Sequence, residues 1–299
     1  MVAIAFLVAD PEASNLNCER SESLLIRACL AHRNKIVFCA PHNEIYTVGS
    51  TVWARGWSQH QGLRRNDVDL RLKEAELLWV LGLGIRNSFL DRMQLLRSLD
   101  QSNFVNGVDA FVYLHAKHAL LQTSLTRYHP YSIASDDPNL LSEHLAKGGD
   151  WILKPAAGSF GRSVFLLAGK EQSYRRALLD LGTSKGFFLL QKKVDTTHEK
   201  RWLVVNNRVI GAYGKKLTSH RGNLHSGSTP FVTEPSREEH SHVEEIAIHL
   251  SDMGIRYAAI DVAHPYLLDV NLANPGWLST YRELTGRDMS PQVLSALLD

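Results

Sequence analysis

Short apolar runs recur along the first third of the chain, each followed by a stretch whose apolar positions fall at helical spacing. Residues 3–8 read as a buried strand, and residues 21–32 put Leu24, Leu25, Ala28 and Cys29 on one helical face. Further strands are expected at 35–39, 77–81 and 104–106, with a helix over 89–99. This alternation predicts βα units. The stretch 51–66 is rich in Trp, Arg and Gln, shows no period, and receives no assignment.

Beyond about residue 125 the strand patterns come in neighbouring pairs: 151–154 with 164–167, 201–205 with 208–213, and 257–262 with 266–270. Asn206-Asn207 supplies two residues that tolerate left-handed backbone, and His264-Pro265 marks another reversal, so the pairs predict antiparallel hairpins. Helical patterns at 173–181 and 238–253 would cover one face. An α/β amino-terminal domain followed by an α+β half is the expected architecture, with no internal repeat or low-complexity tract.

Composition narrows the class. A chain of 299 residues, 44% hydrophobic and 21% charged, can bury a large core. Its net charge of +2 argues against a dedicated nucleic-acid surface. The longest apolar stretch, 77–85, is about half of the ~20 residues a membrane-spanning helix needs. Cys18, Cys29 and Cys39 are odd in number and lack C-x-x-C spacing, which fits buried free thiols. No basic segment precedes the first apolar run, and Asp10 and Glu12 follow it, so the start reads as the first strand of a cytoplasmic enzyme.

Three groups carry chemistry. In residues 152–163 a strand ends in Lys154, and a turn with Gly158 and Gly161 follows. Backbone N–H groups there can close over phosphate oxygens with the lysine charge beneath them, although an ordinary hairpin with an exposed lysine has the same pattern. Asp261 and Asp269 fall on paired strands, and two-residue alternation puts Asn271 on the same face as Asp269. Strand ends commonly carry such residues. Yet two carboxylates at the ends of apolar strands repel one another without a cation, which favours a hard divalent ion. The third group is Glu199-Lys200-Arg201 with Arg221 in the polar loop beyond, either a solvated cluster or a grip on developing negative charge. His240, His242 and His249 read as structural, Gly82-Leu83-Gly84 is too short for a dinucleotide fingerprint, and no nucleophile triad is present.

In this order the segments resemble the ATP-grasp superfamily, and within it bacterial glutathione synthetases; ribosomal-protein glutamate ligases share the last hairpin. The resemblance runs over nearly the whole chain. It is carried by LVADP at 7–11 with the helix from Ser21, ILKPAAGSFGRSVFLL at 152–167, LQKKV at 190–194 and EKRWLVVNNRVIGAY at 199–213. RGNL at 221–224 and AAIDVAHPYLLDVNLANPG at 258–276 complete it. It implies an ATP-grasp fold behind an α/β pre-ATP-grasp domain over 1–120. The grasp domain would span 121–299, with a lid portion at about 125–198 and a carboxy-terminal portion at about 199–299.

Residue by residue, the resemblance implies that Lys117 and Lys154 contact ATP phosphates. Main chain at Gly158, Ser159, Phe160, Gly161 and Arg162 would cover them. Gln191, Lys192 and Val194 would line the adenine pocket, with Glu199 toward the ribose. Asp261, Asp269 and Asn271 would hold Mg2+. Arg201 and Arg221 would stabilise the transferring phosphoryl group, and Asn223, Ser226, Asn274, Pro275 and Gly276 would face the substrate. The implied reaction is ATP-dependent amide formation between small-molecule acid and amine substrates through an acyl phosphate, in a homo-oligomer. Three departures mark this chain: Asp269 where the family has Glu, fewer glycines in the phosphate loop, and a short 225–230 segment without the family's arginine. They leave open a ligase for a different amino-acid pair and a silent nucleotide-binding protein.

Overall fold

In the computed structural model the described residues are 3–9, 15–32, 35–157, 164–167, 186–196, 198–217 and 227–298. The chain opens with β1 (Ala3–Val8), α1 (Ser21–Ala31) and β2 (Ile36–Pro41). Then come β3 (Ile45–Val48), β4 (Thr51–His60), β5 (Leu63–Arg71) and β6 (Ala75–Val80). β1 is parallel to both β2 and β6 and is buried at every position, as a strand covered on both faces requires.

The βα reading therefore describes only the centre of this sheet. β3, β4 and β5 form an antiparallel flank, and the unassigned stretch 51–66 falls in the β4–β5 hairpin. Val52 and Ala54 of β4 enter the core. The opposite face holds Trp53 under Arg71, 5.0 Å from the guanidinium carbon to the ring centre, and Trp57 under Arg64 at 4.3 Å. Apolar side chains on both faces erase the apolar–polar alternation. The sheet is followed by α2 (Phe89–Arg97) and α3 (Val108–Tyr113). The expected strand at 104–106 reduces to two isolated bridges, Leu78 with Phe104 and Asn106 with Ile255.

The second sheet comprises β7 (Ser132–Ser135), β8 (Trp151–Pro155), β9 (Phe165–Leu167) and β10 (Phe188–Lys192), in the order β7-β10-β8-β9, all antiparallel. α4 (Pro138–Leu145) covers one face through Leu141 and Leu145, which meet Trp151, Leu153, Phe188 and Leu190. Alternation sends Lys154 and Gln191 to the other face. The helix expected at 173–181 lies outside the described residues.

The third sheet comprises β11 (His198–Val205), β12 (Arg208–Lys216), β13 (Thr229–Phe231), β14 (Tyr257–Ala263) and β15 (Tyr266–Asn271), in the order β13-β12-β11-β14-β15. α5 (Arg237–Asp252) begins with a capping box between Ser236 and Glu239 and packs Val243, Ile246 and Leu250 on Trp202, Val204 and Ile260. On the reverse face, Leu203, Val205, Tyr257 and Ala259 meet α6 (Trp277–Thr285) and α7 (Ser290–Leu298). That apolar cover reaches one end of the strands only. At the other end the same face carries Glu199, Arg201, Lys215, Asp261 and Asp269.

Asn106 joins the first and third sheets. Its Oδ1 accepts from the backbone N–H of Arg256 and Tyr257, both at 2.9 Å, and its Nδ2 donates to the carbonyls of Tyr257 at 2.7 Å and Leu272 at 3.1 Å. All four hydrogen-bonding capacities of a buried amide are thereby used. Among the described residues no helix is long and apolar enough to cross a membrane.

Candidate active site

Strand register assembles the site. Arg201 of β11 lies opposite Asp261 of β14, which lies opposite Asp269 of β15, while Glu199 lies opposite Lys215 of β12. The two-residue period puts all five side chains on one face. Arg201 grips Asp261 with two parallel hydrogen bonds, Nε to Oδ1 at 2.8 Å and Nη2 to Oδ2 at 2.7 Å. Lys215 adds a third, 2.9 Å to Oδ1, and also pairs with Glu199.

Lys215 is 1% exposed and Asp261 6%, so two cations and two carboxylates share a nearly dry space. Burial alone would raise the Asp261 pKa, yet Arg201 and Lys215 hold it well below the usual carboxylate range. Burial pushes Glu199 up against the pull of Lys215, and the two carboxylates hold Lys215 above the ordinary lysine value despite its burial.

The second sheet meets this row from above. Lys154 Nζ donates to Gln191 Oε1 at 3.1 Å and to the Leu268 carbonyl at 3.3 Å, one residue from Asp269. Lys117 opens a 3-10 helix at Lys117–Gln122, and its backbone N–H donates to the Ala156 carbonyl beside β8. Its Nζ reaches both Asp269 oxygens, at 2.6 and 2.5 Å. Burial, with the charge of Lys117, pushes the Lys154 pKa down to about 8. His129 is buried beside Gln191, and burial with the charge of Lys154 pushes its pKa down to about 4. The lysine-bearing hairpin and the acidic hairpin thus border one cleft.

At the far edge, Arg201 Nη1 donates to the Pro275 carbonyl at 3.2 Å, and Asn274 Oδ1 accepts from the Gly276 N–H at 3.3 Å. Asn274 Nδ2 bonds Glu22 in the first turn of α1. Gly276 adopts φ +63°, a left-handed conformation that glycine takes without strain, at the N-cap of α6. Asn271 Nδ2 lies 3.5 Å from the Ala259 carbonyl.

Two residues expected at the nucleotide point elsewhere. The Lys192 side chain turns to the α4 face, 4.0 Å over the Trp151 ring, and donates to the Gly148 carbonyl at 2.8 Å. That leaves only its backbone toward the cleft. Glu199 is committed to Lys215 rather than to open space. Val194 lines a cavity of about 390 Å³ with Tyr131, Lys193, His264 and Tyr266. Gly158, Ser159, Phe160, Gly161, Arg162, Arg221, Asn223 and Ser226 lie outside the described residues.

Sequence reasoning missed Lys215, His129 and Glu22. For Lys215 a signal existed: alternation from Tyr213 on a strand paired with β11 puts it across from Glu199. His129 and Glu22 carry no local motif. Among the described residues no three His, Cys, Asp or Glu side chains converge as a metal cluster. Asp261, Asp269 and the Asn271 amide offer oxygen donors only, and in this structure the two carboxylates are engaged by Arg201, Lys215 and Lys117. Such an all-oxygen set fits a hard cation that completes its shell with phosphate oxygens and water.

Residues 118–286 match the family model described as prokaryotic glutathione synthetase, ATP-grasp domain. A glutathione synthetase of Anaplasma centrale is 26% identical over 174 residues, 57% of this chain and 56% of the relative. The matches to the first such relatives thus span little more than half of their length. A glutathione synthetase of Prochlorococcus marinus subsp. pastoris is 24% identical over 306 residues, 98% of each chain. Among solved structures, the ATP-grasp ligase PsnB complexed with a phosphomimetic variant of minimal precursor, Mg and ADP superposes with a TM-score of 0.65 at 15% identity. It covers 100% of this chain and 98% of PsnB, a likeness of fold.

Proposed function

Because the chain belongs to the prokaryotic glutathione synthetase ATP-grasp domain family, we propose that it is an ATP-dependent carboxylate–amine ligase that forms a peptide-like amide bond. One observation carries this reading: Lys154 and Lys117 both reach the Asp269 hairpin, so phosphate-binding cations and acidic ligands border a single cleft.

In the proposed reaction a substrate carboxylate attacks the γ-phosphate of ATP, and an amine then displaces phosphate from the acyl phosphate. Charge placement can supply most of the rate, because phosphoryl transfer asks little covalent chemistry of the protein. Lys117 and Lys154 bind the phosphates. Arg201 offers a fixed guanidinium to the negative charge that develops on the transferring group, and Asp261 keeps it oriented. Lys215 balances Asp261 and Glu199 from below. Asp261, Asp269 and Asn271 would hold Mg2+, which supplies charge neutralisation to the nucleotide phosphates. The hinge backbone at 192–194 lies where an adenine edge could meet it. Asn274, Pro275 and Gly276 face the acid substrate.

The substrates in this reading are small amino-acid or peptide-like acids and amines, and the protein acts as a cytoplasmic homo-oligomer. A phosphate-release screen of amino acids and dipeptides in pairs, with ATP and magnesium, tests it. Release that requires one acid supports the ligase. Tight nucleotide binding with no release across a broad panel refutes it.

A further inference from the structure

We propose that His129 is a positioning residue, acting through Gln191 to hold Lys154 at the nucleotide phosphate; this rests on the ligase reading above. The three side chains form a buried line, with His129 8%, Gln191 4% and Lys154 9% exposed. Lys154 Nζ donates to Gln191 Oε1 at 3.1 Å, and Gln191 Nε2 lies 3.5 Å from His129 Nδ1.

A primary amide has one accepting and one donating end. Turned about, Gln191 would present its NH2 group to an ammonium that has nothing to accept with. Lys154 therefore draws the carbonyl, and the NH2 group is turned to His129 Nδ1, which accepts it as the Nε2–H tautomer and so braces the amide in this sense. His129 accepts only while neutral, and its burial beside the Lys154 charge keeps it so.

Its own place is rigid. His129 follows the 3-10 turn Ser124–Tyr128, whose Leu125 and Tyr128 are in the core, and it precedes β7, where Ser132 pairs with Gln191. The second acceptor of Lys154 is the Leu268 carbonyl, so the line also sets the spacing between the second sheet and the acidic hairpin. Gln191 is then occupied by the lysine. It is not free to read the base.

The test is displacement of a fluorescent nucleotide by ADP with magnesium. It compares the full chain with His129→Leu, His129→Asn, Gln191→Leu and the Leu–Leu double variant. Asparagine returns an acceptor near the place of Nδ1. Loss of one buried hydrogen bond should make His129→Leu bind ADP about tenfold more weakly, about 1.4 kcal/mol. His129→Asn should stay within about threefold of the parent, and His129→Leu should add little to Gln191→Leu. Melting temperatures of the two His129 variants should agree, which a merely structural loss would not give. Parent-like affinity in His129→Leu, equal weakness in His129→Asn, or additive effects in the double variant would overturn the assignment. A parent chain that binds no ADP removes the ligase reading as well, and is told apart by that arm alone.

Discussion

Replacing Lys215 by Met leaves a carboxylate pair short of one buried cation. Asp261 keeps its two bonds from Arg201, so the burden falls on Glu199, whose partner was Lys215. Removing one member of a buried ion pair destabilises by about 3–5 kcal/mol when the remaining charge stays charged. Glu199 has an escape, because burial already raises its pKa and it can take up a proton. The expected loss is therefore about 2–4 kcal/mol at alkaline pH and clearly less in mild acid. For a chain of this size that corresponds to a melting temperature lower by about 3–6 °C.

The pH dependence follows from linkage. Without Lys215 the folded pKa of Glu199 lies further above its unfolded value. Its contribution is then fully present below the unfolded pKa and is lost as pH rises through the folded one, by at most about 1.4 kcal/mol per pH unit. Thermal and urea unfolding at about pH 5.5 and about pH 8 measures this difference. Glu199→Gln in the same background removes the titrating group and should flatten the dependence. Equal destabilisation at both pH values, or a slope that survives Glu199→Gln, would refute the reasoning.

Arg201→Ala should lower acid-dependent phosphate release by about 10²-fold or more while ADP affinity changes little, and unchanged release would remove Arg201 from the mechanism. Lys154, with its pKa pushed down to about 8, is charged below that pH and neutral above it. ADP affinity should be flat on the acid side and fall as pH rises beyond about 8, and Lys154→Arg should abolish the fall, because arginine stays charged throughout. Affinity that is level up to about pH 9.5 in the parent would contradict this. Gly82→Ala places a Cβ 2.1 Å from the Ala9 backbone nitrogen, where both partners are main chain. Melting should drop by several degrees, for an overpacking loss of about 1–3 kcal/mol, with no change in ADP affinity of the surviving folded protein.

The paired strands that carry Arg201, Asp261 and Asp269 were legible in the sequence because a period of two survives wherever one face is apolar. The β4–β5 hairpin was not. Trp53 lies under Arg71, and Trp57, covered by Arg64, is buried in the core on the face opposite Val52 and Ala54, so apolar groups occupy the face that alternation reserves for polar ones. Lys215 was hidden by its neighbour: Lys215-Lys216 reads as a solvated charge run, and only the partner strand shows that one of the two is enclosed by carboxylates. Lys192 erred in the opposite sense. The resemblance set it at the nucleotide, but strand alternation sends its side chain onto Trp151. Lys117 meets Asp269 only because of how the second sheet sits over the third, and His129 meets Gln191 only because β7 pairs with β10, neither of which a local pattern encodes.

The grip of Lys117 on Asp269 has a consequence for how the cleft fills. A divalent ion arriving alone must evict an ammonium group from its carboxylate and leave that ammonium stranded. A nucleotide arriving alone strands the carboxylate instead. On the ligase reading a magnesium–nucleotide complex would meet neither obstacle, since phosphate would take the lysine as the ion took the aspartate, and every charge would exchange one companion for another. The protein should then ignore abundant free cation and admit the complex as a unit.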